Sequence, residues 1–210
     1  MGRANGGRYT QLPIIKLRIA ITGATGFIGG HVLDELSKWD VDIVAVVRHA
    51  SGCTPPVSAR MEVVRFDLHD PPCDAFLKMG RPDVLMHLAW GGLPNYKSLL
   101  HFERELPAHY SFLKRLIECG LRALVVTGTC LEYGMLSGPL NEETVAVPVT
   151  PYGLAKDVLR RQLEQLKTLH SFRLIWTRLF YLYGDWQSNS SLLTVIGVGD
   201  LAWPSPWRPP

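Results

Sequence analysis

Little in this 210-residue chain speaks for oxidised thiols or a metal site. Its four cysteines (Cys53, Cys73, Cys119 and Cys130) are scattered, with no C-x-x-C pair and no ligand spacing. Free thiols in a reducing compartment are therefore expected, and the cytoplasm is the default location. Long apolar runs are missing too. Nothing approaches the ~18 uninterrupted apolar residues of a membrane helix. Lys16 and Arg18 break the run after Leu12 that a signal peptide would need. Charge of one sign is scarce: a net charge of +3 is too small to argue for nucleic acid or an anionic membrane surface as a partner. Repeats and low-complexity tracts are absent as well. What is there is a 47% hydrophobic composition over a length that suits one globular domain with a real core.

Glycine clusters at one informative place. The segment TGATGFIGG begins at Thr22, directly after the apolar run 17–21, and opens a stretch with helical spacing. Gly23, Gly26 and Gly29 at a strand-to-helix turn let the backbone approach a pyrophosphate closely. The N–H groups and positive end of the following helix then hold the anion. The spacing is G-x-x-G-x-x-G, not the G-x-G-x-x-G of the commonest dinucleotide fingerprint. A plain turn with close helix packing would use the same glycines.

A second constellation, YGLAK at 152–156, follows Thr150 and Pro151, an N-cap and a proline at the first helical position. A helix starting there puts Tyr152 and Lys156 on one face, one turn apart. A phenol ionises near ~10 and is a poor base at neutral pH. A neighbouring ammonium favours phenolate, as does the positive charge of an oxidised nicotinamide. The plainer alternative is a Tyr and a Lys on the exposed face of an amphipathic helix.

Between and around these motifs, strands and helices alternate. Strands are expected at 17–22, 42–47, 61–66, 83–88, 123–127 and 172–177, and helices at 27–38, 74–79, 99–119 and 151–170. The continuous apolar run DIVAVV from Asp42 suits a strand covered on both faces. Pro107 should kink or divide the third helix, Gly120 should cap it, and 51–59 reads as a loop. Such alternation predicts an α/β fold, a doubly wound parallel sheet with ligand outside the carboxyl ends of its strands.

From about 17 to 184 the chain resembles the extended short-chain dehydrogenase/reductases, specifically the NAD(P)-dependent nucleotide-sugar epimerase/dehydratase family. The segments that carry the resemblance stand in the family's order: TGATGFIGG, HLAW at 87–90, TGTCLEYG at 127–134, PYGLAK at 151–156 and RLFYLYG at 178–184. It implies a Rossmann-type fold, NAD or NADP as cofactor, a nucleotide-sugar substrate, and a homodimer formed through helices 99–119 and 151–170. It also implies that Gly23, Gly26 and Gly29 cradle the diphosphate, with Phe27 and Ile28 at the helix start. Asp67 and Leu68 would contact adenine, Leu88 and Ala89 would pass beside the phosphate and ribose, and Thr127 would border the cofactor. Thr129 falls at the family's catalytic hydroxyl, bridging the sugar oxygen and Tyr152. Tyr152 would move the hydroxyl proton. Lys156 would lower its pKa and hold the nicotinamide ribose, and Phe180 would pack near the nicotinamide.

Several residues depart from the family pattern. Arg48 ends the second strand where NAD-preferring enzymes place an acid, which leans towards the 2′-phosphate of NADP; a solvated Arg at a strand end accounts for it equally well. Trp90 replaces a small residue and puts the local loop shape in question. Cys130 and Leu131 stand where sugar-nucleotide dehydratases carry Asp-Glu, so dehydration is not expected; Glu132, displaced by one residue, is given no role. Tyr181 replaces a substrate-binding Asn. His87 reads as a hydrogen-bonded core histidine rather than a catalyst.

Residues 1–16 read as a flexible leader, 17–184 as the dinucleotide-binding domain, and 185–210 as a remnant of the family's substrate lobe or an irregular tail, so that the lobe is largely missing. The leading expectation is a 4-epimerase-like oxidoreductase acting on a nucleotide-linked sugar, with no metal. Its alternatives are an NADPH-dependent reductase of 4-keto sugar nucleotides and a catalytically silent dinucleotide-binding module.

Overall fold

The computed structural model describes residues 16–48 and 60–184. The expected leader up to position 15, the loop 51–59 and the tail 185–210 lie outside the described residues. Six strands run in chain order: β1 (Arg18–Thr22), β2 (Asp42–Val47), β3 (Met61–Arg65), β4 (Val84–His87), β5 (Ala123–Thr129) and β6 (Arg173–Leu179). The helices are α1 (Phe27–Leu36), α2 (Ala75–Lys78), α3 (Leu106–Glu118) and α4 (Pro151–Leu166). A π-helical turn, His101–Glu105, leads into α3, and a 3₁₀ turn, Cys130–Tyr133, follows β5.

The strands form one parallel sheet in the order β3-β2-β1-β4-β5-β6. The chain steps outwards from β1 to β3, then returns to the other side of β1 with β4. The crevice at the carboxyl ends of β1 and β4 is thus the topological switch point, the place where open α/β sheets bind ligands. Side chains alternate across the strands. Ile19, Ile21, Ile43 and Ala45 meet Leu33 of α1 on one face, while Ala20, Val44, Val46, Leu85 and Leu124 meet α3 and α4 on the other. Both faces are covered, which is why the strands read as unbroken apolar runs rather than as alternating ones.

The 99–119 segment divides where proline predicts. Pro107 lies in the first turn of α3 and has no N–H to donate, so the helix proper begins at Leu106 with the wider π turn before it. Gly120, at φ +104°, ends it. Its core face carries Phe112, Leu113, Leu116 and Ile117, and also His109, which is buried because its ring finds partners in the sheet. Strands β5 and β6 run two residues further than expected, to Thr129 and Leu179. This extension brings Thr129 to the sheet's carboxyl edge.

Candidate active site

The glycine turn is built by close approach. Gly23 has φ +74°, and a Cβ there would lie 2.7 Å from the Ala89 backbone nitrogen, so the loops after β1 and β4 touch. Gly26 is the N-cap of α1, its N–H donates to the Gly23 carbonyl at 3.0 Å, and no side chain caps the helix. The first-turn amides therefore have no side-chain cap to occupy them and suit an anion. Gly29 serves packing: a Cβ there would run into the Gly23 carbonyl.

Below this turn lies a cleft of about 330 Å³, bordered by Gly23, Gly26, Arg48, Asp67, Leu68, Leu88 and Ala89. It runs from the uncapped helix end to the ends of β2 and β3, a shape that fits an extended dinucleotide. Seven of the sequence-assigned cofactor residues thus share one cleft. Phe27, Ile28 and Gly29 do not line it, Thr127 is buried with its hydroxyl bonded to the His87 carbonyl at 3.3 Å, and Phe180 borders a different space.

Thr129 is the last residue of β5, and the 3₁₀ turn after it packs against the first turn of α4. Gly153 permits this, because a Cβ there would stand 2.5 Å from the Leu131 carbonyl oxygen. Thr150 caps α4 as expected, accepting the Gly153 N–H at 3.1 Å. Tyr152 is thereby held beside Thr129, whose hydroxyl favours ionisation of its phenol. Tyr152 is 7% exposed, with Tyr96, His101 and Trp90 at ring-centre distances of 5.6, 5.2 and 6.1 Å. Burial pushes the Tyr152 phenol well above its ordinary value, Tyr96 and Glu132 add to the rise, and the nearby Thr129 hydroxyl opposes it.

Lys156 lies one turn on, buried. Its Nζ donates to the Thr127 carbonyl at 2.8 Å and stands 4.0 Å from the centre of the Trp90 ring, against 6.0 Å from that of Tyr152. Burial brings its pKa down to about 7, with Glu132 and Glu105 opposing the fall. The expected acidification of the phenol by the ammonium is therefore not what these side chains do by themselves. Burial drives both groups towards their neutral forms, and the amine faces a carbonyl and an indole rather than the phenol.

A polar chain unseen in the sequence connects the cleft to the core. Asp67 faces His69 Nδ1 at 3.0 Å, and His69 Nε2 faces Glu105 at 3.0 Å. Glu105 also accepts from the Gly91 N–H at 2.9 Å and from His109 Nε2 at 3.2 Å. His109 Nδ1 accepts from His87 Nε2 at 2.7 Å, and His87 Nδ1 accepts the Thr22 hydroxyl at 2.8 Å. Burial keeps both His87 and His109 below their ordinary values, so each ring donates once and accepts once along this line. Burial opposes the ionisation of Glu105, yet the His109 and Gly91 bonds bring its pKa down to about 2. His87 is accordingly the satisfied core histidine expected. Trp90 stacks on His109, with ring centres 4.6 Å apart, and donates to His101 Nδ1 at 3.1 Å.

Sequence reasoning missed His69, Glu105, His101 and Glu132. Some of their partners lie 36, 14, 11 and 46 residues away, beyond any local pattern, although Glu105 and His109 stand four apart and Thr129-x-x-Glu132 has the spacing of a capping box. Glu132, given no role from its place in the sequence, is fully buried with its carboxylate on the Thr129 N–H.

A second cleft of about 470 Å³ opens on the other side of Thr129, bordered by Asn95, Lys97, Cys130, Phe180 and Tyr181. Thr129 thus borders this space and also stands beside Tyr152. Among the described residues no group of His, Cys, Asp or Glu is arranged to hold a metal ion, and no helix is long and apolar enough to cross a membrane.

The sequence profile of the NAD dependent epimerase/dehydratase family matches residues 19–197. A dTDP-6-deoxy-L-talose 4-dehydrogenase (NAD(+)) of Aggregatibacter actinomycetemcomitans is 30% identical over 86% of this chain and 67% of its own length. A UDP-glucose 4-epimerase of Azospirillum brasilense is 26% identical, over 80% of this chain and 49% of its own. Among solved structures, a UDP-galactose 4-epimerase superposes with a TM-score of 0.67 at 27% identity, covering 77% of this chain and 55% of that one. A UDP-N-acetylglucosamine 4-epimerase from Methanobrevibacter ruminantium shares the fold with a TM-score of 0.73 at 22% identity, over 84% of this chain and 59% of that one. The chain spans about half to two thirds of the length of these relatives. With the switch-point crevice, the glycine turn and the Thr129–Tyr152 pair in place, the match over 19–197 leaves one conclusion: this chain belongs to the NAD dependent epimerase/dehydratase family.

Proposed function

We propose that this chain carries NAD or NADP in the cleft below the glycine turn and acts on a hydroxyl of a nucleotide-linked sugar, as a 4-epimerase does. The observation that carries the reading is the placing of Thr129, which lines the second cleft, beside the buried Tyr152, with Lys156 one turn along. The relatives named above include two that act at sugar position 4, one by epimerisation and one by dehydrogenation.

Gly23 and Gly26 keep the turn open to a diphosphate, Asp67 and Leu68 border the end of the cleft that suits adenine, and Leu88 and Ala89 form its floor. A bound nicotinamide supplies the hydride acceptor and donor for the sugar carbon. The protein's share is the proton. Tyr152 takes it from the sugar hydroxyl oxygen and returns it to the carbonyl oxygen, while Thr129 holds that oxygen beside the phenol. Lys156 would hold the hydroxyls of the nicotinamide ribose, and its charged form would favour the Tyr152 phenolate. Cys130 and Leu131 offer neither acid nor base next to Thr129, so water is not removed from the sugar.

A second reading has its own observation. Arg48 borders the cleft at the end of β2, where a 2′-phosphate would lie, and this favours a reductase using NADPH. Native mass spectrometry of the purified chain tests both, reporting retained NAD or NADP and whether the chain is a homodimer. Interconversion of UDP-glucose and UDP-galactose without added cofactor supports the epimerase. Stoichiometric consumption of NADPH by a 4-keto sugar nucleotide supports the reductase. A chain that retains neither dinucleotide and binds neither when supplied refutes the cofactor assignment.

A further inference from the structure

Thr129 can serve the proposed reaction only if its hydroxyl keeps one place relative to Tyr152, and a buried carboxylate three residues on is bonded to its backbone. Glu132 is fully buried. Its Oε1 accepts the Thr129 backbone N–H at 2.8 Å, and the Thr129 hydroxyl in turn accepts the Leu131 N–H at 3.3 Å. This reciprocal capping box pins Thr129 from both sides. With its N–H and one lone pair committed, the hydroxyl keeps its own proton and its other lone pair for Tyr152 and a substrate oxygen.

The remaining bonds of Glu132 all go to β6. Trp176 Nε1 donates to both carboxylate oxygens at 3.1 Å, and Arg178 Nε donates to Oε2 at 2.8 Å. Trp176 and Arg178 are two residues apart on one face of the strand. They reach Glu132 over Gly128, where any Cβ would collide with the Trp176 indole and the Glu132 carboxylate. Arg178 extends the link by donating to the Tyr133 hydroxyl at 3.1 Å, which donates to the Asn141 carbonyl at 2.9 Å. Gly128, Glu132, Trp176 and Arg178 therefore form one unit, although they stand far apart in sequence. Ordinary turn formation needs no buried charge at this position. A carboxylate with every oxygen satisfied, aimed at the backbone of the hydroxyl-bearing residue, is what positioning requires.

We propose that Glu132 is a positioning residue that fixes the Thr129 hydroxyl against Tyr152 by clamping the Thr129 amide to Trp176 and Arg178 of β6. The proposal rests on the reading of Thr129 and Tyr152 as the pair that handles the sugar hydroxyl.

The test removes both charges together, so that no lone ion is left buried. Two double variants of the whole chain are compared, Glu132→Leu with Arg178→Met and Glu132→Gln with Arg178→Met; only the second keeps an acceptor for the Thr129 N–H. Matching circular dichroism and melting curves establish that each folds. The first readout is the Thr129 amide proton in a ¹H–¹⁵N spectrum. It should lie far downfield in the wild type, move upfield in the Leu/Met variant, and stay near its wild-type position in the Gln/Met variant. The second is turnover of UDP-glucose with NAD⁺. For the Leu/Met variant kcat should fall by about tenfold or more with KM for UDP-glucose within about twofold, and the Gln/Met variant should recover most of the loss. A Thr129 amide that stays put in the Leu/Met variant, or a folded Leu/Met variant with wild-type kcat, overturns the proposal. If the wild-type chain leaves UDP-glucose unchanged, the sugar reading fails and the amide shift alone decides the clamp.

Discussion

Replacing Lys156 by methionine should change how stability depends on pH, in a direction opposite to that of a surface lysine. Burial takes its amine from an ordinary value of 10.5 to about 7 in the folded chain. Between those two values the unfolded chain binds more protons than the folded one, so stability rises with pH across that window. Below the lower value both states are protonated, and the cost of burying the charge is present in full. Linkage over two pH units, from pH 7 to pH 9, gives a gain of about 2 kcal/mol from this group alone. Lys156→Met lacks the group and keeps every other titrating residue. The difference in unfolding free energy, wild type minus variant, should therefore grow by that amount. Urea denaturation of both proteins at pH 7, 8 and 9 measures it directly. A difference that stays constant within about 0.5 kcal/mol would show that the amine is not held near neutrality, and would refute the burial argument.

Gly23→Ala places a Cβ 2.7 Å from the Ala89 nitrogen at φ +74°, and should destabilise the chain by about 1–3 kcal/mol. The same variant should lose retained dinucleotide in native mass spectra, and full retention would count against the role of the turn. Arg48→Ala should weaken NADP by about tenfold while leaving NAD within about twofold, as read by isothermal titration; equal losses would remove Arg48 from the 2′-phosphate. Leu163→Ala, at a fully buried position on α4, should cost about 2–5 kcal/mol in denaturant without altering dinucleotide binding.

Much of the fold was legible because the sheet is covered on both faces. Strands such as DIVAVV then declare themselves as unbroken apolar runs, and Thr150, Pro151 and Gly120 mark helix ends by local chemistry that needs no distant partner. The cleft was legible for the same reason. Gly23, Gly26, Arg48, Asp67, Leu68, Leu88 and Ala89 each sit at or just beyond the carboxyl end of a strand, and parallel topology gathers those ends. What could not be read is how the buried polar groups pair. The His69–Glu105–His109–His87 line joins four elements, and its members are informative only once α3 lies against β4. Glu132 was passed over because a strand-like path would turn it away from the site; the 3₁₀ turn instead folds it back on Thr129. Trp90 drew notice as an oversized residue, but its contact with Lys156 depends on a loop conformation that no local pattern specifies.

In the proposed chemistry Tyr152, beside Thr129, takes the proton of a sugar hydroxyl. Stopped-flow absorbance of reduced nicotinamide, on mixing the chain and NAD⁺ with UDP-glucose, tests it most directly in wild type and Tyr152→Phe. A rapid rise is expected in the wild type and a rise at least about a hundredfold slower in the variant, with cofactor affinity retained. Equal rates in the two proteins, or no reduced nicotinamide from a wild-type chain shown to hold NAD⁺, would contradict this chemistry.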